Sequence, residues 1–134
     1  DAMGIYATKN PGNIIVSPDK DMKQIPGMLY NFDETFTITK EEGAKWHLIQ
    51  AMAGDNTDGY AGVPGIGIKR ATALFEEHGY SWKTVVKAFK EKDLSEEVAL
   101  MNARLAKILT TEDYDHENRE PILWDPSADY CVNT

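Results

Sequence analysis

The sequence predicts an α/β chain in which the edge of a small sheet runs into a helical subdomain. Three observations predict it. The β-branched run Asn13-Ile14-Ile15-Val16-Ser17 follows an Asn10-Pro11-Gly12 turn. Two further stretches, Met28 to Phe32 and Thr35 to Thr39, flank Asp33-Glu34 as a hairpin flanks its turn. Beyond them, apolar residues recur at helical spacing as far as Leu109. Strands followed by helices give an α/β edge joined to a helical part.

Each element has its own justification. Asp1 to Thr8 reads as the tail of a helix stopped by Asn10-Pro11-Gly12. The run 13–17 reads as a buried strand, and PDKDMKQIPG as a brief helix stopped by Pro26-Gly27. Lys40 to Met52 puts Ala44, His47, Leu48 and Ala51 on one helical face, with Thr39 as N-cap. Ile68 to Glu77 carries Ala71, Leu74 and Phe75 at core spacing and ends at Gly79. Ser81 caps Trp82 to Lys90, which groups Trp82, Val85, Val86 and Phe89. Ser95 opens a helix running to Leu109. The acidic run Glu112 to Glu120 is expected to be solvated. The rest is irregular apart from one strand at Ile122 to Trp124. The expected division is 1–53, 54–110 and 111–134.

Composition narrows the function classes. In 134 residues, 42% are apolar, enough for a core. No apolar run approaches the roughly 18 residues of a membrane span. The opening DAMGIYATKN carries no leader pattern, and Asp1 in place of Met suggests a cut from a longer chain. Cys131 is the only cysteine, so no internal disulfide forms, which points to a reducing compartment. One cysteine and three scattered histidines make a poor zinc site. A net charge of −8 argues against a broad nucleic-acid footprint, but a total hides clustering.

The acidic residues do cluster. Asp19 and Asp21 follow the strand ending at Ser17, where α/β sheets place ligand-binding groups. Asp55 and Asp58 stand three apart in GDNTDGYAG, on one face if a helical turn forms. Taken singly, either pair is explained by capping or turn hydrogen bonds. Should the pairs converge, like charges about 4 Å apart would cost on the order of 4 kcal/mol per pair at an effective dielectric near 20. A cation would relieve that cost, and an all-oxygen set favours Mg²⁺ or Mn²⁺.

Immediately downstream, Gly62-Val63-Pro64-Gly65-Ile66-Gly67 precedes Ile68-Lys69-Arg70-Ala71. Glycines let bare backbone amides reach the surface, and a helix starting after Gly67 adds its positive end. Val63 and Ile66 are placed to anchor the turn. Lys69 and Arg70 oppose the helix dipole, an arrangement that an anion nearby would rationalise. A ligand-free glycine-rich connection is the plainer alternative.

These motifs together resemble the flap endonucleases and 5′→3′ exonucleases, the family that includes the 5′-nuclease domains of bacterial DNA polymerases I. GDNTDGYAGVPGIGIKRA is similar to the family's helix–three-turn–helix signature. Ser17-Pro18-Asp19-Lys20-Asp21-Met22-Lys23-Gln24 is similar to its S-x-D-K-D-x-x-Q segment. DAMGIYA resembles the end of its E-A-D-D segment, with Asp1 as the final aspartate. The lengths of WHLIQAMA and GDNTDGYAG resemble the bacteriophage branch. The match runs from Asp1 to about Gly79.

The resemblance implies the sheet edge of a 5′-nuclease (PIN-like) fold and hydrolysis of DNA phosphodiesters by two metal ions, Mg²⁺ or Mn²⁺. It assigns Asp19, Asp21, Asp55 and Asp58 to one metal, with Asp1 nearby, and gives these aspartates the catalytic role. Gly62, Val63, Gly65, Ile66, Gly67, Lys69 and Arg70 would grip duplex backbone near 5′ ends, flaps or branches. It also implies a K⁺ on the hairpin carbonyls. The family's first half, with its remaining ligands, is absent from this sequence. The isolated chain is therefore expected to cleave little or not at all. A monomer in the cytoplasm of a bacterial host, with no membrane contact, completes the expectation. The rival reading is a non-enzymatic DNA-binding module that uses the same hairpin.

Other chemistry-bearing residues read as packing. Trp46 and Trp82 have core spacing, and His47 reads as a partly buried helix residue and not a general base. Lys83, Lys87 and Lys90 form a stripe on one helix side, solvated or backbone-following.

Overall fold

The computed structural model describes residues 2–10 and 12–132. Among them the chain is mixed α/β, with five α-helices and two small sheets. It divides into two compact units. One comprises residues up to Ala44 with Ile108–Leu123, the other Lys45–Lys107 with residues from Trp124 onward.

The first unit opens with α1 (Ala2–Lys9) and β1 (Ile14–Val16). A 3₁₀ turn, Lys20–Gln24, leads to β2 (Gly27–Tyr30) and β3 (Thr35–Ile38). Strand order is β1-β2-β3, with β1 parallel and β3 antiparallel to β2. Asn31 closes the hairpin by accepting from the amides of Asp33 and Glu34 at 3.1 and 3.0 Å. Ile15, Leu29 and Ile38 point into a core with Ile25, against which Ala7, Met22, Phe36 and Ile108 pack. The expected fully buried strand is corrected here: only Ile15 is buried, while Ile14 and Val16 are 51% and 52% exposed. Successive side chains alternate faces, and this core occupies one face of the strand.

Gln24, the last residue of the Asp-Lys-Asp motif, has a packing role. It is buried, and its Oε1 accepts from the Ile108 amide at 2.9 Å. That bond draws Ile108 off the helical ladder. Accordingly, the helix expected to reach Leu109 ends at Ala106.

Helix α2 (Lys40–Ala53) starts at a reciprocal cap. Thr39 Oγ1 accepts from the Glu42 amide, and Glu42 Oε1 accepts from the Thr39 amide, both at 3.1 Å. The division between the units falls within this helix. The second unit continues with α3 (Ile68–His78), α4 (Trp82–Lys90) and α5 (Glu96–Ala106). Ser81 and Ser95 cap α4 and α5 by accepting from Thr84 and Val98 amides, as their spacing predicts. Leu48, Met52, Val63, Phe75, Val85 and Phe89 lie at the centre of its core, with exposures of 1% or less. His47 is buried, with Nε2 2.8 Å from the Ala103 carbonyl, and Trp82 is buried. The ring of Trp124 meets those of His47, Trp82 and Tyr130 edge-on.

One expectation for the tail is corrected. Among the described residues no strand forms at Ile122 to Trp124; the pair is β4 (Tyr114–Asp115) with β5 (Glu120–Pro121). The acidic run is largely exposed, as expected, and carries a 3₁₀ turn at Thr111–Asp113 ahead of that hairpin. Asp115 organises the turn by accepting from the amides of Glu117 and Asn118, and Arg119 adopts a left-handed φ of 57°.

Candidate metal and nucleic-acid sites

Asp1 lies outside the described residues. Asp19 and Asp21 belong to the first unit, just past β1. Asp19 is exposed and N-caps the 3₁₀ turn, its Oδ1 accepting from the Asp21 amide at 3.0 Å. Asp21 is 7% exposed, and the Lys20 ammonium lies 3.8 Å from its Oδ1. A carboxylate that far from water needs cations or donors around it. The two aspartates differ in kind: one faces solvent, the other is buried.

Asp55 and Asp58 belong to the second unit, on a loop that leaves α2. The backbones of Asp55 and Tyr60 exchange hydrogen bonds of 2.7 and 3.2 Å and close the loop. Asp55 Oδ1 accepts from the Thr57 amide at 2.9 Å and from the Asp58 amide at 3.4 Å. Tyr60 is buried beneath. The loop thus presents the half-buried Asp55 and the exposed Asp58 from neighbouring positions.

The glycine turn follows at once. Gly62 is buried at φ +64°, a conformation that strongly favours glycine. A Cβ there would stand 2.5 Å from Ala53 C and 2.6 Å from Met52 O, with Gly54 N closer still. Gly54 is interlocked in the same way against Ala61. Two bonds hold this contact: the Val63 amide donates to Met52 O at 2.7 Å, and the Gly62 amide to Asn102 Oδ1 at 2.9 Å. Val63 is buried and Ile66 packs against the same core, so both anchor the turn.

The outer half of the turn is different. Gly65, at φ +80°, and Gly67 have nothing within 4 Å of where a Cβ would be. Gly67 is also in ordinary extended backbone, φ −94° and ψ −176°. It N-caps α3 without any side-chain hydrogen bond, and no acidic residue occupies the first helical turn. Lys69 and Arg70 are exposed in that turn.

Asn102 belongs to none of the motifs. It lies 40 residues from Gly62, is buried, and spends its other amide atom on Val98 O at 2.9 Å. A lone asparagine in a helix gives no sequence signal of that duty.

Comparison with known proteins bears on these features. The chain is 28% identical over 167 residues to the exodeoxyribonuclease of Enterobacteria phage T3, covering 96% of this chain and 55% of that protein. To the exonuclease of Escherichia phage T7 it is 27% identical over 165 residues, covering 94% and 55%. The chain is a homologue of phage exonucleases. It thus spans about half the length of these relatives. It also matches the DNA polymerase I of Rhizobium leguminosarum, 32% identical over 107 residues, covering 70% of this chain and 10% of that protein. No family model matches. These exonuclease and polymerase relatives agree with the motif resemblance drawn above.

Proposed function

We propose that this chain is the carboxylate-and-hairpin part of a metal-dependent 5′→3′ exonuclease or flap endonuclease that hydrolyses DNA phosphodiesters. Nuclease relatives support the reaction class. The observation carrying the DNA reading is Gly67. Neither its backbone angles nor its neighbours call for glycine, yet it stands at the uncapped start of α3 beside Lys69 and Arg70. A bare backbone there lets a phosphate reach the amides of the helix N-terminus. Gly62, Val63 and Ile66 hold the turn, while Gly65 and Gly67 form its open face. Contacts of this kind grip the backbone and leave sequence unread.

In this reading Asp19, Asp21, Asp55 and Asp58 hold Mg²⁺ or Mn²⁺, with Asp1 nearby. All four donors are carboxylate oxygens, which fit hard divalent ions. Such ions supply an activated water and charge neutralisation at the leaving oxygen. The chain's own residues do the positioning. The Asp55–Tyr60 closure fixes one pair of donors, and the 3₁₀ cap fixes the other. Water attacks phosphorus, the P–O bond to the leaving oxygen breaks, and that oxygen takes up a proton. In this reading the chain by itself, which spans about half the length of its exonuclease relatives, binds duplex without cleaving it. A K⁺ on the hairpin carbonyls, monomeric action and a host-cytoplasm location belong to the same reading. Among the described residues, no helix is long and apolar enough to cross a membrane.

The non-enzymatic alternative also has an observation in its favour: Asp19 and Asp55 both cap turns. Duplex binding by fluorescence anisotropy at low salt, wild type against Gly67→Val, tests the hairpin reading. Valine fits the backbone angles, so folding is retained and affinity falls. Unchanged affinity sinks the reading. Salt dependence is shallow, because few phosphates are contacted.

A further inference from the structure

A groove of about 540 Å³ lies in the second unit, away from the glycine turn in sequence. Its floor is apolar: Trp82, 3% exposed, then Val86 and Ala128. Lys83, Lys87 and Lys90 line it at positions i, i+4 and i+7 of α4, which places them in one stripe. All three are exposed, and none has an ion-pair partner among the described residues. No acidic residue interrupts α4. In a chain of net charge −8, three unpaired cations beside one apolar floor need an explanation.

We propose that this groove docks an acidic peptide from a partner protein, with an apolar side chain on the Trp82–Val86 floor and carboxylates along the lysine stripe. Two features favour a peptide over nucleic acid. The floor offers a phosphate backbone no donors, since the Trp82 indole N–H is already donated to Glu96 Oε1 at 3.3 Å. Glu91 and Glu96 also line the groove, so a continuous polyanion would meet like charge there. A peptide can confine its carboxylates to one edge and turn apolar groups toward the other. Buried apolar anchors supply most of the affinity in such contacts, while rim charges set orientation and on-rate.

The test uses the full chain and a fluorescein-labelled octapeptide, Asp-Glu-Leu-Trp-Glu-Leu-Asp-Glu. Binding is followed by anisotropy and by the Trp82 indole N–H resonance. Saturable binding that shifts the Trp82 signal and weakens with salt is the expected result. The triple variant Lys83→Glu, Lys87→Glu, Lys90→Glu weakens it by about tenfold or more, roughly the combined effect of three rim pairs. All three positions are exposed, and retained far-ultraviolet circular dichroism checks that the variant folds. A second probe, with serine replacing leucine and tryptophan, keeps the charge and loses binding. Overturning results are absence of peptide binding, equal binding of the serine probe, or a Trp82 signal that responds to short duplex DNA and not to the peptide.

Discussion

Gly62→Ala is the substitution whose cost is best defined by the structure. At φ +64° an alanine carries a left-handed penalty of about 1–2 kcal/mol. Its Cβ would also stand 2.6 Å from Met52 O and 2.5 Å from Ala53 C, both backbone atoms that no rotamer change can move. Relief requires separating the backbone segments around Gly62 and Gly54. That breaks the 2.7 Å bond from the Val63 amide and the 2.9 Å bond from the Gly62 amide to Asn102. Each buried group left unsatisfied costs about 1–3 kcal/mol, so with the conformational penalty the total reaches about 3–8 kcal/mol. Gly65→Ala is the internal control. It shares the left-handed backbone but meets nothing within 4 Å, so only the conformational penalty of about 1–2 kcal/mol applies. All three tryptophans, Trp46, Trp82 and Trp124, lie in the second unit, so their fluorescence in urea follows its unfolding. Gly62→Ala should move the midpoint far more than Gly65→Ala. Equal shifts would refute the interlocked-backbone argument.

Other consequences are smaller. Asn102→Ala orphans the buried Gly62 amide and should lower the stability of the second unit by about 1–3 kcal/mol in the same assay; a neutral result would mean that the amide finds another acceptor. Asp115 is held below the usual carboxylate range, first by the Asn118 amide, then by the Asn118 side chain, with help from the Glu117 amide. A carboxyl depressed by folding contributes above its unfolded pKa and ceases to contribute as pH falls through the lower folded value. The 114–121 hairpin should therefore stay ordered through the ordinary carboxylate range and loosen only below it. Side-chain NMR titration of Asp115 checks this, and a midpoint at or above the usual value would contradict it. The Tyr130 hydroxyl is pushed up, chiefly by burial and secondarily by Cys131. Titration followed by its ring resonances should show it ionising above the ordinary phenol range, and a midpoint at or below that range would contradict the burial.

Much of the helical part was legible because its signals are local. Ser81, Ser95 and Gly79 end or begin helices by chemistry contained within three or four residues. Thr39 and Glu42 form their cap for the same reason. The β4–β5 hairpin escaped notice because its strands are two residues long, too short for periodicity, and Asp115 builds the turn from an acidic run that resembles plain solvated chain. The half-exposure of β1 leaves no sequence signal, because a three-residue apolar run reads alike whether one face or both are covered. In the candidate site, residue types and spacing exposed the aspartates and the glycine turn. Their supports did not show, because Asn102 and Gln24 act across 40 and 84 residues of sequence.

The proposed function depends most on Asp21 and Asp55 both being metal ligands. Mn²⁺ titration of wild type, Asp21→Asn, Asp55→Asn and the double variant, read by water-proton relaxation, addresses it directly. Shared coordination predicts that either single change removes most of the binding and that the second adds little. Independent, additive losses, or Mn²⁺ binding indifferent to both residues, would contradict it.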